Sequence, residues 1–425
     1  MARKMKDSGI EWIGEIPEGW ETIKLKNIAS IVRGGSPRPI EAYMSDNDND
    51  VNWIRISDTE KGSKYITHAC RKLISSGISK SRFIKRGSLI LTNSMSFGEP
   101  YILAIDGCIH DGWVAFSDFT KIDKEFLYYF LVSPLAKLQF EQQVDGGVVK
   151  NLNIDKIGDT IILLPPYNEQ NKIIAYLDCF TSNIDLLLSK TISSVEEYKK
   201  LKQAVITQAV TKTIYDDFGN PSKFRKLRSL CDVLSKGTTP KDIETQNDEF
   251  YCIRYLKSEN IVSNQLNLNP TFFITAETNN SLERSKLNSG DILFVIAGAS
   301  IGKVAITTAD FLPANTNQAV AFIRLSSSYQ YATKYIWYFL QSDVVKQLIA
   351  LSAVQSAQPN LSLEDLGAMR LPLPDQMGCL KITDYLDAKC AEIDKLIAKK
   401  EQLVKELEGY KKSLIYEVVT GKREV

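Results

Sequence analysis

The chain contains an internal repeat, which limits its possible folds more than any other feature of the sequence. Residues 151–214 align without a gap onto residues 360–423 at a constant offset of 209, and 20 of these 64 positions are identical. The triplet YLD, for example, occurs at 176–178 and again at 385–387. A repeat of this length implies that one structural unit is built twice, so the sequence predicts two similar units within one chain.

The match continues upstream with small insertions. The stretch "KLKNIASIVRGGSPR" (24–38) resembles "KLRSLCDVLSKGTTPK" (226–241), and the pair Ile-Arg at 54–55 resembles the same pair at 253–254. Both copies therefore carry a basic and glycine-containing turn shortly after their start.

A third upstream match explains a stretch that looks like a phosphate-binding loop. The segment "RGSLILTNSMSFG" (86–98) aligns with "SGDILFVIAGASIG" (289–302), which is followed by Lys303. A Walker loop needs a glycine where Ala297 stands and a hydroxyl where Val304 stands. We therefore predict a structural turn at the end of a strand, available for contact with a ligand, and no nucleotide site.

Each repeat has a β-rich part followed by a helical part. Short runs such as "SLILTNS", "WVAF", "DILFVI" and "AVAFIRL" predict strands, and "DKEFLYYFLVSPLAKLQFEQQV" predicts a helix. The predicted fold class is α+β (α/β-like), with two similar globular domains, here called heads, and two long helices that pair as an antiparallel coiled coil with pseudo-twofold symmetry. The predicted boundaries are 1–167 for the first head, 168–214 for the central helix, 215–374 for the second head and 375–425 for the C-terminal helix.

The helical parts show apolar residues at alternating four- and three-residue spacing, which is typical of coiled coils. In the first copy these residues are Ile173, Leu177, Phe180, Ile184, Leu187, Tyr198, Leu201 and Val205. In the second copy they are Ile382, Leu386, Ile393, Leu396, Leu407, Tyr410 and Leu414.

Composition excludes several classes of protein. Hydrophobic residues make up 44% and charged residues 24%, as in soluble globular proteins, and no apolar run is long enough for a membrane span. The N-terminal stretch lacks the apolar core of a secretory signal, so we expect a cytoplasmic protein. The seven cysteines and two histidines show no metal-ligand spacing, and they predict reduced, mostly buried thiols and no metal site.

A net charge of +1 conceals two local basic runs. Residues 61–90 carry eight basic side chains and no acidic one, and residues 222–241 carry six basic side chains against Asp232 alone. Two such runs at related places in a duplicated chain indicate contact with phosphates. If the phosphates are those of DNA, two similar but diverged heads would read two different halves of a DNA target.

Several motifs, in order, resemble the specificity subunit of type I restriction–modification systems. They are "KDSGIEWIGEIPEGWE", the turns "GGSPRP" and "KGTTPK", "LLPPYNEQNKIIAYLD" and the closing "EVVTGK". The resemblance implies a subunit without catalytic activity or cofactor that reads double-stranded DNA with two target-recognition domains. It also implies assembly with two adenine-methylating modification subunits and with restriction subunits. The second copy departs from the motif at 374–379, "PDQMGC", so the two helix starts are not expected to dock their partner subunits identically.

We expect phosphate contacts from the basic runs and base contacts from polar loop residues. In the first head the candidates are Arg33, Ser36, Arg38, Arg55, Lys64, Arg82, Asn93, Ser94 and Ser96. In the second head they are Lys236, Thr238, Lys241, Arg254, Lys257, Ser300, Lys303, Asn315, Asn317 and Gln318.

Two other functions compete with DNA recognition. "PPY" at 165–167 is similar to the Asn/Asp-Pro-Pro-Tyr loop of amino-methyltransferases, but Leu164 stands where the polar residue that holds the amino group belongs. The Pro-Pro pair instead predicts the end of a strand and a helix start, with Asn168 as the N-cap. The second alternative is a coiled-coil adaptor or scaffold protein with no role in reading DNA.

Overall fold

The computed structural model of the protein describes residues 3–60, 62–94, 97–143, 152–211, 224–353 and 360–425. The chain divides into two compact units, one formed by Met1–Thr191 with Gln402–Val425 and the other by Ile192–Glu401. Each unit thus contains one head, the beginning of that head's own long helix and the end of the long helix from the other repeat.

The first repeat alternates short strands with helices. Its strands are β1 (Met5–Asp7), β2 (Glu15–Pro17), β3 (Glu21–Lys24), β4 (Ser30–Arg33), β5 (Met44–Ser45), β6 (Val51–Ile54), β7 (Tyr65–Ile66), β8 (Arg71–Leu73), β9 (Arg82–Ile84), β10 (Leu89–Thr92), β11 (Pro100–Leu103), β12 (Gly107–Ile109), β13 (Trp113–Ser117) and β14 (Ile161–Leu164). Its helices are α1 (Ser75–Ile78), α2 (Lys124–Val132), α3 (Pro134–Gln143), α4 (Ile154–Gly158) and α5 (Tyr167–Thr211).

Among the described residues, the second repeat has fewer strands than the first. They are β15 (Phe224–Lys226), β16 (Cys231–Lys236), β17 (Tyr251–Leu256), β18 (Ile261–Val262), β19 (Gln265–Leu266), β20 (Phe273–Thr275), β21 (Ile292–Val295), β22 (Val304–Ile306), β23 (Ala314–Thr316), β24 (Val320–Leu325) and β25 (Arg370–Pro372). The helices are α6 (Ala276–Ser281), α7 (Thr333–Leu340), α8 (Asp343–Ala353), α9 (Leu363–Ala368) and α10 (Gln376–Val419).

The sheets of the two heads share one topology. The order β4-β13-β10-β11 in the first head corresponds to β16-β24-β21-β22 in the second, and neighbours within these four strands are antiparallel. The first head adds β7, which pairs parallel with β11. A second sheet contains one parallel pair in each head, β6 with β12 and β17 with β23. The predicted α+β class and its internal repeat are confirmed.

Each head closes its hydrophobic core with both long helices. In the first core the buried Phe126 and Phe130 of α2 lie in one cluster with Leu177 of α5 and Leu414 and Val418 of α10. The second core combines Tyr335 and Phe339 of α7 with Ile206 and Val210 of α5 and Leu386 of α10. Each fully buried aliphatic side chain of this kind contributes roughly 1.5–3 kcal/mol, so the helix ends are integral to the heads.

Ion pairs link the two long helices within each unit, and the pairs obey the sequence repeat. Lys411 donates to Asp185 at 2.6 and 2.7 Å in one unit, and Lys202 donates to Asp394 at 2.7 and 2.6 Å in the other. Asp185 corresponds to Asp394 and Lys202 to Lys411 at the offset of 209. Within each unit the two helix segments run antiparallel, as predicted.

The predicted apolar stripe is wrong in part. Ile173, Leu177 and Ile184 are buried, but Phe180, Leu187 and Leu201 are 40%, 52% and 49% exposed. Tyr410 of α10 is 47% exposed as well. The buried seam includes Thr181 and Thr191, whose hydroxyls donate to the helix carbonyls of Leu177 and Leu187, so a purely apolar pattern misses it.

The starts of the two long helices are held in their heads by different contacts. Gln170 is buried; its side chain accepts from the Asp123 N–H at 2.7 Å and donates to the carbonyls of Lys121 and Pro165. The buried Cys379 replaces it in α10, and Asp375 accepts from the Gly378 N–H at 2.8 Å. Asn168 lies inside the first turn of α5, so its predicted N-cap role is wrong.

Two predictions from composition meet different outcomes. Within the described ranges, no helix is both long and apolar enough to cross a bilayer. All seven cysteines are unpaired, but Cys70, Cys179 and Cys252 are exposed, so the thiols are less buried than expected.

Candidate nucleic-acid interface

Loops that follow four strands of the first head line one cleft of about 1070 Å³. The strands are β4, β6, β10 and β12, and together with β8 they bring four arginines to the lining. These are Arg33, Arg38, Arg55 and Arg71. We call this cavity the first basic cleft. Against these four arginines the lining has two acidic residues, Glu41 and Asp111, so its net charge is positive. A positively charged concavity attracts anions and suits contact with phosphates or with the acceptor edges of bases.

A tight turn at residues 110–113, here called the His110 turn, joins the loops of the cleft. The Trp113 N–H donates to the His110 carbonyl at 3.1 Å, and the Gly34 N–H donates to the Trp113 carbonyl at 2.8 Å. The Asn93 N–H donates to the Gly112 carbonyl at 3.0 Å. Three loops are therefore fixed to one another by backbone hydrogen bonds.

Asp111 is the hub of the polar side chains in the His110 turn. Its carboxylate accepts from the Ser36 hydroxyl at 2.8 Å and lies 3.8 Å from a terminal nitrogen of Arg38, while its carbonyl accepts from Arg33 Nε at 2.9 Å. Burial raises the pKa of Asp111, but the Ser36 hydrogen bond and the neighbouring charges outweigh burial and hold the pKa below its usual value. The carboxylate is therefore ionised at neutral pH.

His110 supports this turn from the inside. Its ring lies 6.1 Å from the ring of Trp53 and 6.2 Å from that of Trp113, measured between centroids. Its Nδ1 accepts from the Gly112 N–H at 2.7 Å, and its Nε2 faces the Ile56 N–H at 3.2 Å. Burial lowers the pKa of His110 against the opposing charge of Asp111, so the ring is neutral at neutral pH.

The second head builds the same turn at residues 317–320, here called the Asn317 turn. The Val320 N–H donates to the Asn317 carbonyl at 3.2 Å, the Gly237 N–H to the Val320 carbonyl at 3.3 Å and the Ile296 N–H to the Ala319 carbonyl at 2.9 Å. These bonds make Gly237 equivalent to Gly34, and Gln318 equivalent to Asp111. Lys236, Thr238, Lys241 and Gln318 are exposed around this turn, and with Lys257 they form what we call the second basic surface.

The structure corrects one part of the repeat alignment. The Arg55 N–H donates to the Asp58 carboxylate three residues on, and the Lys257 N–H donates to the Asn260 side chain in the same way, both at 2.9 Å. Arg55 therefore corresponds to Lys257, and its predicted match with Arg254 is wrong. Gly34 and Gly237 are equivalent as well. Arg33, Arg38 and Arg55 of the first head are therefore the equivalents, in that order, of Lys236, Lys241 and Lys257 of the second head.

The other first-head candidates lie in varied surroundings. Arg82 is exposed and donates to the Arg33 carbonyl at 2.7 Å, and Ser94 lines the first basic cleft. Lys64 instead forms 2.6 Å ion pairs with Glu125 and Asp178, and these hydrogen bonds raise its pKa although burial lowers it. Asn93 is only 5% exposed. Ser96 lies outside the described residues.

In the second head, Asn315 is fully buried and donates to the Asn279 side chain and the Leu282 carbonyl. Arg254 donates to the Asp310 carbonyl at 2.6 Å. Ser300 and Lys303 lie in the turn between β21 and β22. These two strands are antiparallel, and Phe294 of β21 pairs with Val304 of β22. The GASIGK stretch therefore joins two antiparallel strands and is the predicted turn. A Walker loop would instead be followed by a helix.

Sequence reasoning missed Asp111, and it included Arg71 only as a member of the basic run 61–90. Asn317 and Gln318 are candidates in the second head, but the sequence does not identify their equivalents in the first head, which form the His110 turn. No match of residue types signals it, because His-Asp-Gly-Trp and Asn-Gln-Ala-Val share no residue. Across the described segments, no group of three or more His, Cys, Asp or Glu side chains is arranged to hold a metal ion.

Comparison with known proteins agrees with this architecture. A family model described as the type I restriction modification DNA specificity domain matches twice, at residues 17–197 and 220–406. The type I restriction enzyme EcoBI specificity subunit of Escherichia coli is 24% identical over 424 residues, covering 93% of this chain and 85% of that protein. The EcoKI specificity subunit of Escherichia coli strain K12 is 22% identical over 307 residues, covering 69% of this chain and 64% of that protein.

Solved structures share the fold. One chain, from a study of complex assembly and conformational transition of the type I R-M system, superposes with a TM-score of 0.73 at 16% identity, covering 96% of this chain and 99% of that chain. The HsdS subunit of Thermoanaerobacter tengcongensis gives a TM-score of 0.51 at 16% identity, covering 96% and 98% of the two chains.

The two family matches together cover most of the chain, one for each repeat, and each contains a head with its basic loops. They favour a DNA-recognition role over that of a scaffold protein without one. The chain belongs to the family of type I restriction–modification DNA specificity proteins.

Proposed function

We propose that the chain is the sequence-specific DNA-recognition subunit of a type I restriction–modification complex in the cytoplasm. Each head reads one half of a bipartite double-stranded target. The observation that carries the proposal is the repeated family match, together with equivalent basic loops at the same edge of both heads.

The contact residues that we propose are the basic and polar side chains of the first basic cleft and the second basic surface. The arginines and lysines would contact phosphates and guanines, and the serines, Asp111 and Gln318 would contact base edges. Lys64 and Asn315 hold other parts of their heads together, so we assign them to the fold. The domain limits that follow are those of the sequence repeat, with heads at 1–167 and 215–374.

The long helices are proposed to set the spacer between the half-sites and to dock two modification subunits. Phe180 and Leu187 leave 40% and 52% of their surface exposed on α5, and Phe180 stacks on Tyr176 with ring centroids 4.3 Å apart. Apolar helix side chains of this kind suit a partner protein. Methylation would come from those subunits and DNA cleavage from restriction subunits, while this chain supplies no catalytic group.

Exchange of one head tests the proposal. The chain is co-expressed with its modification subunits, and the methylated-adenine motif of the host genome is sequenced with and without the gene. Replacing residues 18–150 by the head of a relative is expected to change one half of a bipartite motif, and replacing 220–359 the other half. A motif that changes in both halves after one exchange contradicts the model with two readers. Methyl transfer by the isolated chain with S-adenosylmethionine contradicts the non-catalytic assignment.

A further inference from the structure

The two heads differ in chemistry at positions that their backbones make equivalent. Asp111 and Gln318 are the second residues of turns closed by the same three backbone hydrogen bonds. The glycines that contact these turns, Gly34 and Gly237, are followed four residues later by Arg38 and Lys241. The comparison therefore matches an Asp–Arg pair in the first head with a Gln–Lys pair in the second.

In the first head, Arg38 is exposed and its guanidinium group lies beside the Asp111 carboxylate. Its side chain is 85% exposed at the first basic cleft, and one of its terminal nitrogens lies 3.8 Å from the Asp111 carboxylate. That carboxylate is itself fixed by Ser36. A guanidinium group that contacts a carboxylate on one side still has free N–H donors on the other side. These donors can bind two acceptor atoms in one plane, such as O6 and N7 of guanine.

In the second head, the equivalent position offers a different donor and acceptor set. Gln318 is exposed, and its amide can both donate and accept. The N6 and N7 atoms of adenine present one donor and one acceptor in the major groove, which an amide matches in a bidentate manner. The lysines at 236 and 241 are point charges, which suit phosphates better than paired acceptors.

We infer that, within the recognition role proposed above, Arg38 reads a guanine in the first half-site with Asp111 as its positioning residue, and Gln318 reads an adenine in the second half-site. The inference extends the proposed function by assigning a base to one side chain in each head. It distinguishes these residues from neighbours that contact the DNA backbone.

The test measures base preference one position at a time. The complex with modification subunits is assayed for methylation of duplexes that carry each of the four bases at every position of the motif. The variants are Arg38→Lys, Asp111→Asn and Gln318→Glu, with Arg284→Lys and Asp46→Asn as exposed controls outside the cleft lining and outside both basic runs. Arg38→Lys and Asp111→Asn are expected to reduce the preference for guanine at one shared position of the first half-site by about tenfold or more. Gln318→Glu is expected to reduce an adenine preference in the second half-site only.

Three outcomes overturn the inference. The first is an unchanged motif in Arg38→Lys, and the second is an effect of Arg38→Lys on the second half-site. The third is an equal loss of methylation with all four bases at the tested position, because a phosphate contact would give that result. If Asp111→Asn lowers the melting temperature, Arg38→Lys decides alone, because an 85% exposed side chain can be changed without disturbing the core. A wild-type complex that methylates no bipartite motif refutes the proposed function itself and is recognised before any variant is compared.

Discussion

At the scale of single residues, both heads depend on a glycine where two loops meet. A Cβ atom on Gly34 would lie 2.0 Å from the His110 carbonyl oxygen, and one on Gly237 would lie 1.8 Å from that of Thr316. Both obstacles are backbone atoms, which cannot rotate away. The sequence places these glycines in its two most similar turns, but the need for them is visible only in the close approach of the strands.

Replacing Gly34 by alanine should therefore push the His110 turn away from the first basic cleft. We expect Gly34→Ala to lower the free energy of unfolding by about 1–3 kcal/mol, the usual cost of overpacking, in chemical denaturation. Gly35→Ala is the matched control, because its Cβ would meet nothing closer than 3.5 Å. Equal stability of the two variants would contradict the role assigned to Gly34.

His110 should make the stability of the protein depend on pH. Because burial holds its folded-state pKa below the ordinary value of about 6.5, the unfolded chain binds the proton more readily. The free energy of unfolding should fall as the pH decreases below about 6.5. Protonation also converts an accepting ring nitrogen into an N–H donor that faces a backbone N–H. Melting temperatures between pH 7 and pH 5 measure this dependence.

The chain offers matched variants for this measurement. His110→Asn introduces the residue found at the equivalent Asn317 and should flatten the pH dependence, whereas His68→Asn, at an exposed position, should leave it in place. A His110→Asn protein with the wild-type pH dependence would show that another group is responsible.

At the scale of elements, the two long helices are linked by ion pairs that repeat at the offset of 209. Asp185 and Lys411 are 46% and 20% exposed, so their coupling should be modest, about 0.2–1 kcal/mol. We expect Asp185→Lys and Lys411→Asp each to destabilise the protein and the double exchange to recover most of the loss. Thermal unfolding in a double-mutant cycle measures the coupling, and additive losses would show that the pair contributes nothing.

The same helices show which structural features the sequence patterns can predict and which they cannot. The gap-free repeat was sufficient to predict both helices, their antiparallel pairing and their equivalent residues. It could not predict which side of each helix is covered, because α5 packs on the first head at its start and on the second at its end. Phe180, Leu187 and Leu201 satisfy the heptad spacing and are nevertheless exposed. Periodicity records the spacing of apolar residues, whereas burial depends on every neighbour of the helix.

The loops were predicted less well for a related reason. The match of Ile54-Arg55 with Ile253-Arg254 rested on two identical residues in segments of different length. The structure moves the match to Leu256-Lys257, because the backbone N–H groups of Arg55 and Lys257 donate to side chains three residues on. Identity in a short diverged loop is a weak guide, and a shared hydrogen-bonding pattern is a stronger one. Asp111 was missed because no residue type is shared across its turn.

At the scale of the whole molecule, the ion pairs impose a condition on helix length. Asp185 and Lys202 are separated along α5 by as many residues as Asp394 and Lys411 are along α10. Lengthening one helix alone would leave one of the two ion pairs out of register. Lengthening both helices at equivalent points, after Ser193 and after Gln402, would preserve both.

A four-residue insertion at both points should therefore change the spacer without loss of function. Four residues add about 6 Å and rotate each apolar face by only about 40°, so we expect the motif to keep both half-sites and to gain about one or two unread base pairs. The same insertion after Ser193 alone should lower the melting temperature and the extent of methylation, because only one helix is displaced. A two-residue insertion turns the face by about 200° and should abolish modification. Genome-wide methylation mapping with all three variants is the measurement, and an active double insertion with an unchanged spacer would show that the helices do not set the distance between half-sites.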